Sequence, residues 1–190
     1  MMERQAATGD IARWSGTASK SVKASLLFAA LLVTLAAEAA TSAPITLAIF
    51  DFELEDTSAG ASASGEAAAD ITKLTDVTNA VRQLFAQSGR YRLIDAGGAD
   101  AAAARAHQLR ECNGCDVGIA MKLGAEQSFV GVVRRISRTE YTVRFQIRDA
   151  STGAVVADAD SGLRMGADYS WSRGATRLIK DRLLEQRAQQ

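Results

Sequence analysis

One proline, one histidine and two cysteines are all that this 190-residue chain has of the residue types that most often mark a chemical site. Each shortage excludes something. A Ser-His-Asp or Cys-His nucleophile would have to run through His107, which lies in the alanine-rich stretch "GADAAAARAHQLRE" with no nucleophile motif beside it. Pro44 is the only proline, so a thioredoxin arrangement, which carries a cis-proline late in the chain, is not met. There is no second Cys/His pair at zinc-finger spacing, no Gly-x-Gly-x-x-Gly fingerprint and no phosphate-binding loop ending in Gly-Lys-Ser/Thr. An excess of charge is also missing, since 22 Lys and Arg face 22 Asp and Glu. Nucleic acid, whose phosphates call for a net basic face, is therefore not an expected partner.

No apolar run reaches the roughly 20 residues that a membrane-spanning helix needs. The longest candidate is "KSVKASLLFAALLVTLAAEAA", in which Lys20 and Lys23 precede an apolar stretch from Leu26 to Val33 that resumes at Leu35. It ends in Ala37-Glu38-Ala39, and charge, apolar core and small residues in that order describe a cleaved secretory signal peptide. Cleavage is expected after Ala39 or Ala40. A start at Val22 would give a compact signal on its own, which makes the acidic, mixed residues before it a dispensable lead-in. Residues 1–39 are set apart as signal and lead-in, and residues 44–187 are expected to form a single periplasmic domain.

From Ile45 the pattern is apolar on both faces, as in a central buried strand, and past Phe50 the acids Asp51, Glu53 and Glu55 alternate with Phe52 and Leu54. Residues 57–70, rich in Gly, Ser and Ala, read as a loop. Ile71, Leu74, Val77, Val81, Leu84 and Phe85 recur at helical steps up to Gly89. "RYRLIDA" reads as a second strand, and the alanine-rich stretch after it as a helix. "CDVGIAMKLGAE" predicts a short helix with Val117, Met121 and Leu123 inward and Gly124 as its stop. "QSFVGVVRRISR", "EYTVRFQIRDA" and "AVVADADSGLR" alternate as strands, the last two joined by a tight turn at Ser151-Thr152-Gly153. "ADYSWSRGATRLIKDRLLEQR" closes the chain as an amphipathic helix. The expected fold is an α/β (α+β) sandwich, a mixed five-stranded sheet in the order β-α-β-α-α-β-β-β-α.

Both cysteines lie in "RECNGCDVG". Export favours a disulfide between Cys112 and Cys115, worth about 2 kcal/mol for so short a ring and fixing the approach to the short helix. A redox role is the alternative, because a thiolate just before a helix is stabilised by that helix's N-terminus. Metal handling, with His107, Cys112 and Cys115 as ligands and Glu111 or Asp116 as a fourth, is the third reading. No cofactor is implied. The carboxylates Asp51, Glu53, Glu55 and Asp56 read as a solvated strand end in preference to a hard-cation site. Arg134, Arg135 and Arg138 read likewise as solvated surface. In "ADYSWSRG", Asp168 can cap the last helix and Trp171 can bury against the sheet, with Arg164 or Arg173 pairing or stacking beside them. The same residues, Trp171, Arg164, Arg173 and Asp168, are also the candidate partner-binding patch.

The stretch from Leu123-Gly124-Ala125 through Gly131-Val132-Val133 to Asp149-Ala150-Ser151-Thr152-Gly153 resembles the α/β domain at the amino end of the TolB translocation protein and in curli-secretion-type lipoproteins. The opening strand "LAIFDFE" is similar to that family's too. More closely, the paired cysteines, the "DASTG" turn and Arg164, Asp168, Ser170, Trp171, Arg173 and Gly174 resemble an uncharacterised family of exported bacterial proteins, a domain of unknown function. The resemblance implies a TolB-amino-terminal-like fold used for assembly. The resulting expectation is a periplasmic, non-catalytic accessory domain that binds an envelope or periplasmic protein. Two other functions stay open, a thiol-disulfide or metal-handling accessory protein centred on Cys112 and Cys115, and a ligand sensor with the loop at 57–70 as a lid.

Overall fold

A computed structural model describes residues 43–59, 68–96, 108–137, 139–161 and 171–185, all within the unit Ala43–Gln190. The signal-peptide region, residues 60–67 of the expected loop, most of the alanine-rich stretch with His107, Arg138, and the segment holding Arg164 and Asp168 lie outside the described residues.

Six strands form one mixed sheet. In chain order they are β1 (Ile45–Ile49), β2 (Glu53–Asp56), β3 (Tyr91–Ile94), β4 (Gln127–Arg135), β5 (Tyr141–Asp149) and β6 (Val155–Asp160). The helices are α1 (Ala68–Gln87), α2 (Cys115–Lys122) and α3 (Trp171–Ile179), the last continuing into a wider π turn over Lys180–Leu184. The sheet runs β3-β1-β4-β5-β6, with β2 alongside β4. β3, β1, β2 and β4 are parallel where they pair, and β4-β5-β6 is an antiparallel meander. The apolar-on-both-faces pattern of β1 fits its place between β3 and β4.

The sixth strand corrects the expected five. The first extended segment is two strands, because the chain steps out of line at Phe50–Phe52. The Phe50 amide donates to the Phe129 carbonyl (3.1 Å) and the Phe52 amide to Thr78 Oγ1 of α1 (2.9 Å). β2 then pairs with the far half of β4 through Glu53↔Val132 to Asp56↔Arg135.

Connection direction decides which face each helix covers. From β2 the chain crosses through α1 to β3 on one flank of β1, then returns through α2 to β4 on the other flank. Right-handed crossovers running in opposite directions put their helices on opposite faces. One core accordingly joins α1 and α3 to the sheet through Leu47, Phe85, Phe129, Phe145, Ile147 and Leu183. A second, smaller core lies under α2 and includes Ala48, Phe50, Leu109, Ile119 and Ala120.

Two helix faces are rotated from expectation. On α1 the buried row is Asp70, Leu74, Val77, Thr78, Val81 and Phe85, so Ile71 is exposed. Asp70 takes the inward place because Arg135 Nη2 of β4 donates to it (2.6 Å). On α2 the inward residues are Asp116, Ile119 and Ala120, whereas Met121 is exposed and Val117 and Leu123 are half-buried. Ser128 Oγ of β4 donates to Asp116 Oδ2 (2.5 Å) and sets that rotation. Gly124 ends the helix with φ 76°, donating its amide to the Met121 carbonyl (3.0 Å).

Candidate functional site

Cys112 and Cys115 form a disulfide. It closes the turn Cys112–Cys115 within the segment Leu109–Asp116, which lies on the α2 side of the sheet, and side chains from three strands hold that segment down. Glu53 of β2 accepts from the amides of Leu109 (2.6 Å) and Arg110 (3.1 Å) and from the Arg110 guanidinium (3.1 Å). Arg148 of β5 donates to Asn113 Oδ1 (3.1 Å). Ser128 of β4 holds Asp116, which is only 4 % exposed.

Strand alternation builds the floor beside this segment. Val143, Phe145 and Ile147 of β5 point to the α1/α3 core, so Thr142, Arg144, Gln146 and Arg148 point the other way. α2 covers only the β1 end of that side, and among the described residues the remainder is open. A groove of about 470 Å³ results, lined by the disulfide loop, the outward row of β5, Arg134 and the acids Glu55, Asp56 and Asp160.

Charge in this groove is arranged in pairs. Arg134 Nε donates to Glu55 (2.8 Å), which holds the guanidinium's pKa above its usual value, and Arg144 Nε donates to Asp158 (3.3 Å). Arg148 differs: among the described residues it bonds only neutral acceptors, namely Asn113, Gln146 Oε1 (2.9 Å) and the Gly153 carbonyl (3.1 Å). Beyond it, Asp149 accepts from the hydroxyls and amides of Ser151 and Thr152, led by the Ser151 hydroxyl, and its pKa falls to about 2.

The acids named from the sequence do not share a site. Asp51 pairs with Arg82, Glu53 with Arg110, Glu55 with Arg134 and Asp56 with Arg135. Asp56 is held below the usual carboxylate range chiefly by the Ser58 hydroxyl (2.6 Å). Arg134 and Arg135, expected as solvated surface, point to opposite faces, and Arg135 enters the ion pairs at the base of α1. No group of three or more His, Cys, Asp or Glu suited to a metal occurs among the described residues.

Trp171 opens α3 and is 5 % exposed, packed against Tyr141 with ring centroids 5.6 Å apart and Lys73 Nζ 5.3 Å from its own ring. It belongs to the α1/α3 core, on the opposite face of the sheet from the disulfide. Of the candidate partner patch, Arg173 lies exposed on α3, and Arg164 and Asp168 fall outside the described residues. The structure therefore does not bring the Trp171 patch and the cysteines together. The arginine row of β5 was not singled out from the sequence, although the alternation in "YTVRFQIRD" carries it.

No curated protein matches the chain. Among solved structures it is similar to the LpoB C-terminal domain from Escherichia coli, at 14% identity over 69% of this chain and 90% of that one, TM-score 0.43. It is also similar to lipoprotein GNA1162 from Neisseria meningitidis, at 12% identity over 76% and 97%, TM-score 0.46. TolB from Acinetobacter baumannii, whose type of domain the sequence resembles, matches at 14% identity over 73% of this chain and 27% of that one, TM-score 0.38. Likenesses at this level carry no functional argument. The family DUF3280, described as "Protein of unknown function (DUF2380)", matches residues 45–183, nearly the whole of the described sheet and helices, and the chain belongs to that family.

Proposed function

We propose that this chain is an exported accessory domain of the bacterial envelope that acts by binding an acidic, extended segment of a partner protein and performs no catalysis. The observation behind this reading is the open β4–β6 face, where Arg148 meets only neutral acceptors among the described residues and Arg144 is half exposed in a long ion pair with Asp158. A guanidinium held only by neutral acceptors among the described residues can still pair with a carboxylate of an extended chain.

Two further features support it. The signal-peptide pattern and the disulfide both suit an oxidising compartment outside the cytoplasm. Moreover, parallel α/β sheets usually hold small ligands in the crevice where strand order reverses, beyond the carboxyl ends of the strands. Here that place lies between β1 and β4, and β2 fills it. Among the described residues no helix is long and apolar enough to cross a membrane.

Photo-crosslinking in the producing cell tests the reading. A crosslinker at Thr142 or Gln146 should capture one partner, and Arg144→Gln, which loses only an exposed ion pair, should abolish the adduct while shifting the melting temperature by no more than a few degrees. The same adduct captured from Gln83 on α1, or enzymatic turnover dependent on either cysteine, would overturn it.

A further inference from the structure

The two sulfurs of the disulfide sit in different surroundings. Cys112 lines the groove, whereas Cys115 is packed against the small core under α2. Cys115 is also the first residue of α2, whose N-cap Gly114 has no side chain to cap that end, although its carbonyl accepts from the Val117 amide (3.2 Å). The positive end of the helix dipole there favours a thiolate. Arg148, held by neutral acceptors among the described residues, adds positive charge to the groove wall, whereas Arg110 is paired with Glu53 and Glu111. Asp116 and Glu111 line the same groove, and each has a partner of its own: Asp116 accepts from Ser128, and Glu111 pairs with Arg110 (3.2 Å).

The bond is also not what keeps its loop in place. Glu53, Arg148 and Ser128 each hold the loop or the start of α2 through contacts that involve no sulfur. Reduction would therefore leave both thiols in position to close again, which is the requirement for a reversible couple and no part of a staple's role.

From this asymmetry we propose that Cys112–Cys115 is a thiol-disulfide exchange centre that oxidises a dithiol on a protein docked in the groove. A partner thiolate attacks Cys112 Sγ. The Cys112–Cys115 bond breaks, and its electron pair leaves on Cys115 as a thiolate at the α2 N-terminus. The partner's second thiolate then attacks the partner sulfur of the mixed disulfide and releases Cys112. The partner loses two electrons and gains a disulfide, and the chain gains those two electrons. The two protons shed by the partner's thiols are matched by two taken up by the cysteines. One chain delivers one disulfide and stops, so the step is stoichiometric and independent of whether the acidic-segment reading holds.

The test uses the full chain with a small thiol, so that it does not depend on partner docking. Reduction by dithiothreitol should be at least about tenfold faster for the folded chain than for the same disulfide in urea-unfolded chain. In single variants compared per thiolate, the groove-lining Cys112 left by Cys115→Ser should react with dithiobis(nitrobenzoate) at least about tenfold faster than Cys115, packed on the small core, left by Cys112→Ser. A folded-state reduction rate equal to or below the unfolded one would overturn the proposal and make the bond a staple. Equal reactivity of the two cysteines would overturn the assignment of Cys112 as the attacked sulfur.

Discussion

Beneath the Phe52 ring stands Gly131 of β4, where any Cβ would fall inside contact distance of three ring carbons. The ring is buried and also touches Phe129, with centroids 5.9 Å apart, so it has little room to withdraw. Gly131→Ala is expected to destabilise the fold by about 1–3 kcal/mol, as overpacking of a filled core does, and thermal unfolding would measure it. An unchanged melting temperature would mean that the step at Phe50–Phe52 yields more easily than its packing implies. Asp149 shows a different kind of constraint. Its pKa is lowered from 3.8 to about 2, so its stabilising contribution is complete above the unfolded value and is lost as pH falls from about 3.8 towards 2. The melting temperatures of the native chain and Asp149→Ala should converge across that window and differ by a constant amount at neutral pH.

Between elements, the arginine at the end of β4 does the joining. Arg135 donates to Asp56 of β2 (2.8 Å) and Asp70 of α1 (2.6 Å), lies 5.6 Å from the Tyr141 ring of β5, and has its pKa raised chiefly by the Asp70 bond. Arg135→Met strands the buried Asp70 carboxylate and should cost about 3 kcal/mol. Adding Asp70→Leu should restore part of that loss, and failure to do so would show that the arginine acts through packing alone. This cluster also explains what the sequence concealed. Periodicity marks every described helix and strand except the separate β2, because period is a local property. The Phe52–Thr78 bond, the Phe52–Gly131 fit and the pairing of Asp70 with Arg135 join residues far apart in sequence. From sequence alone Asp70 therefore reads as part of a loop and Ile71 as inward, and the acids of β2 read as solvated when each has an arginine across a strand or loop. The groove was half legible: the outward row Thr142, Arg144, Gln146 and Arg148 follows from alternation, but not the placing of the disulfide loop beside it.

For the molecule as a whole, the disulfide is a small part of stability. Replacing both cysteines by alanine should cost no more than about 2 kcal/mol, or roughly 4–8 °C in melting temperature for a domain of this size. A loss of cooperative unfolding in that variant would mean that Glu53, Arg148 and Ser128 do not hold the loop unaided. The larger organising fact is that β1 runs on into β2. A sheet that fills its own crevice with its next strand is left to meet other molecules with a shallow plane, here bordered by the disulfide loop. The outward residues of such a plane have their backs to the core but no share in it, so each can change without repacking anything beneath. Members of the family could on that account come to address different partners by editing a few positions on β5 and β6, with the scaffold that presents them left intact.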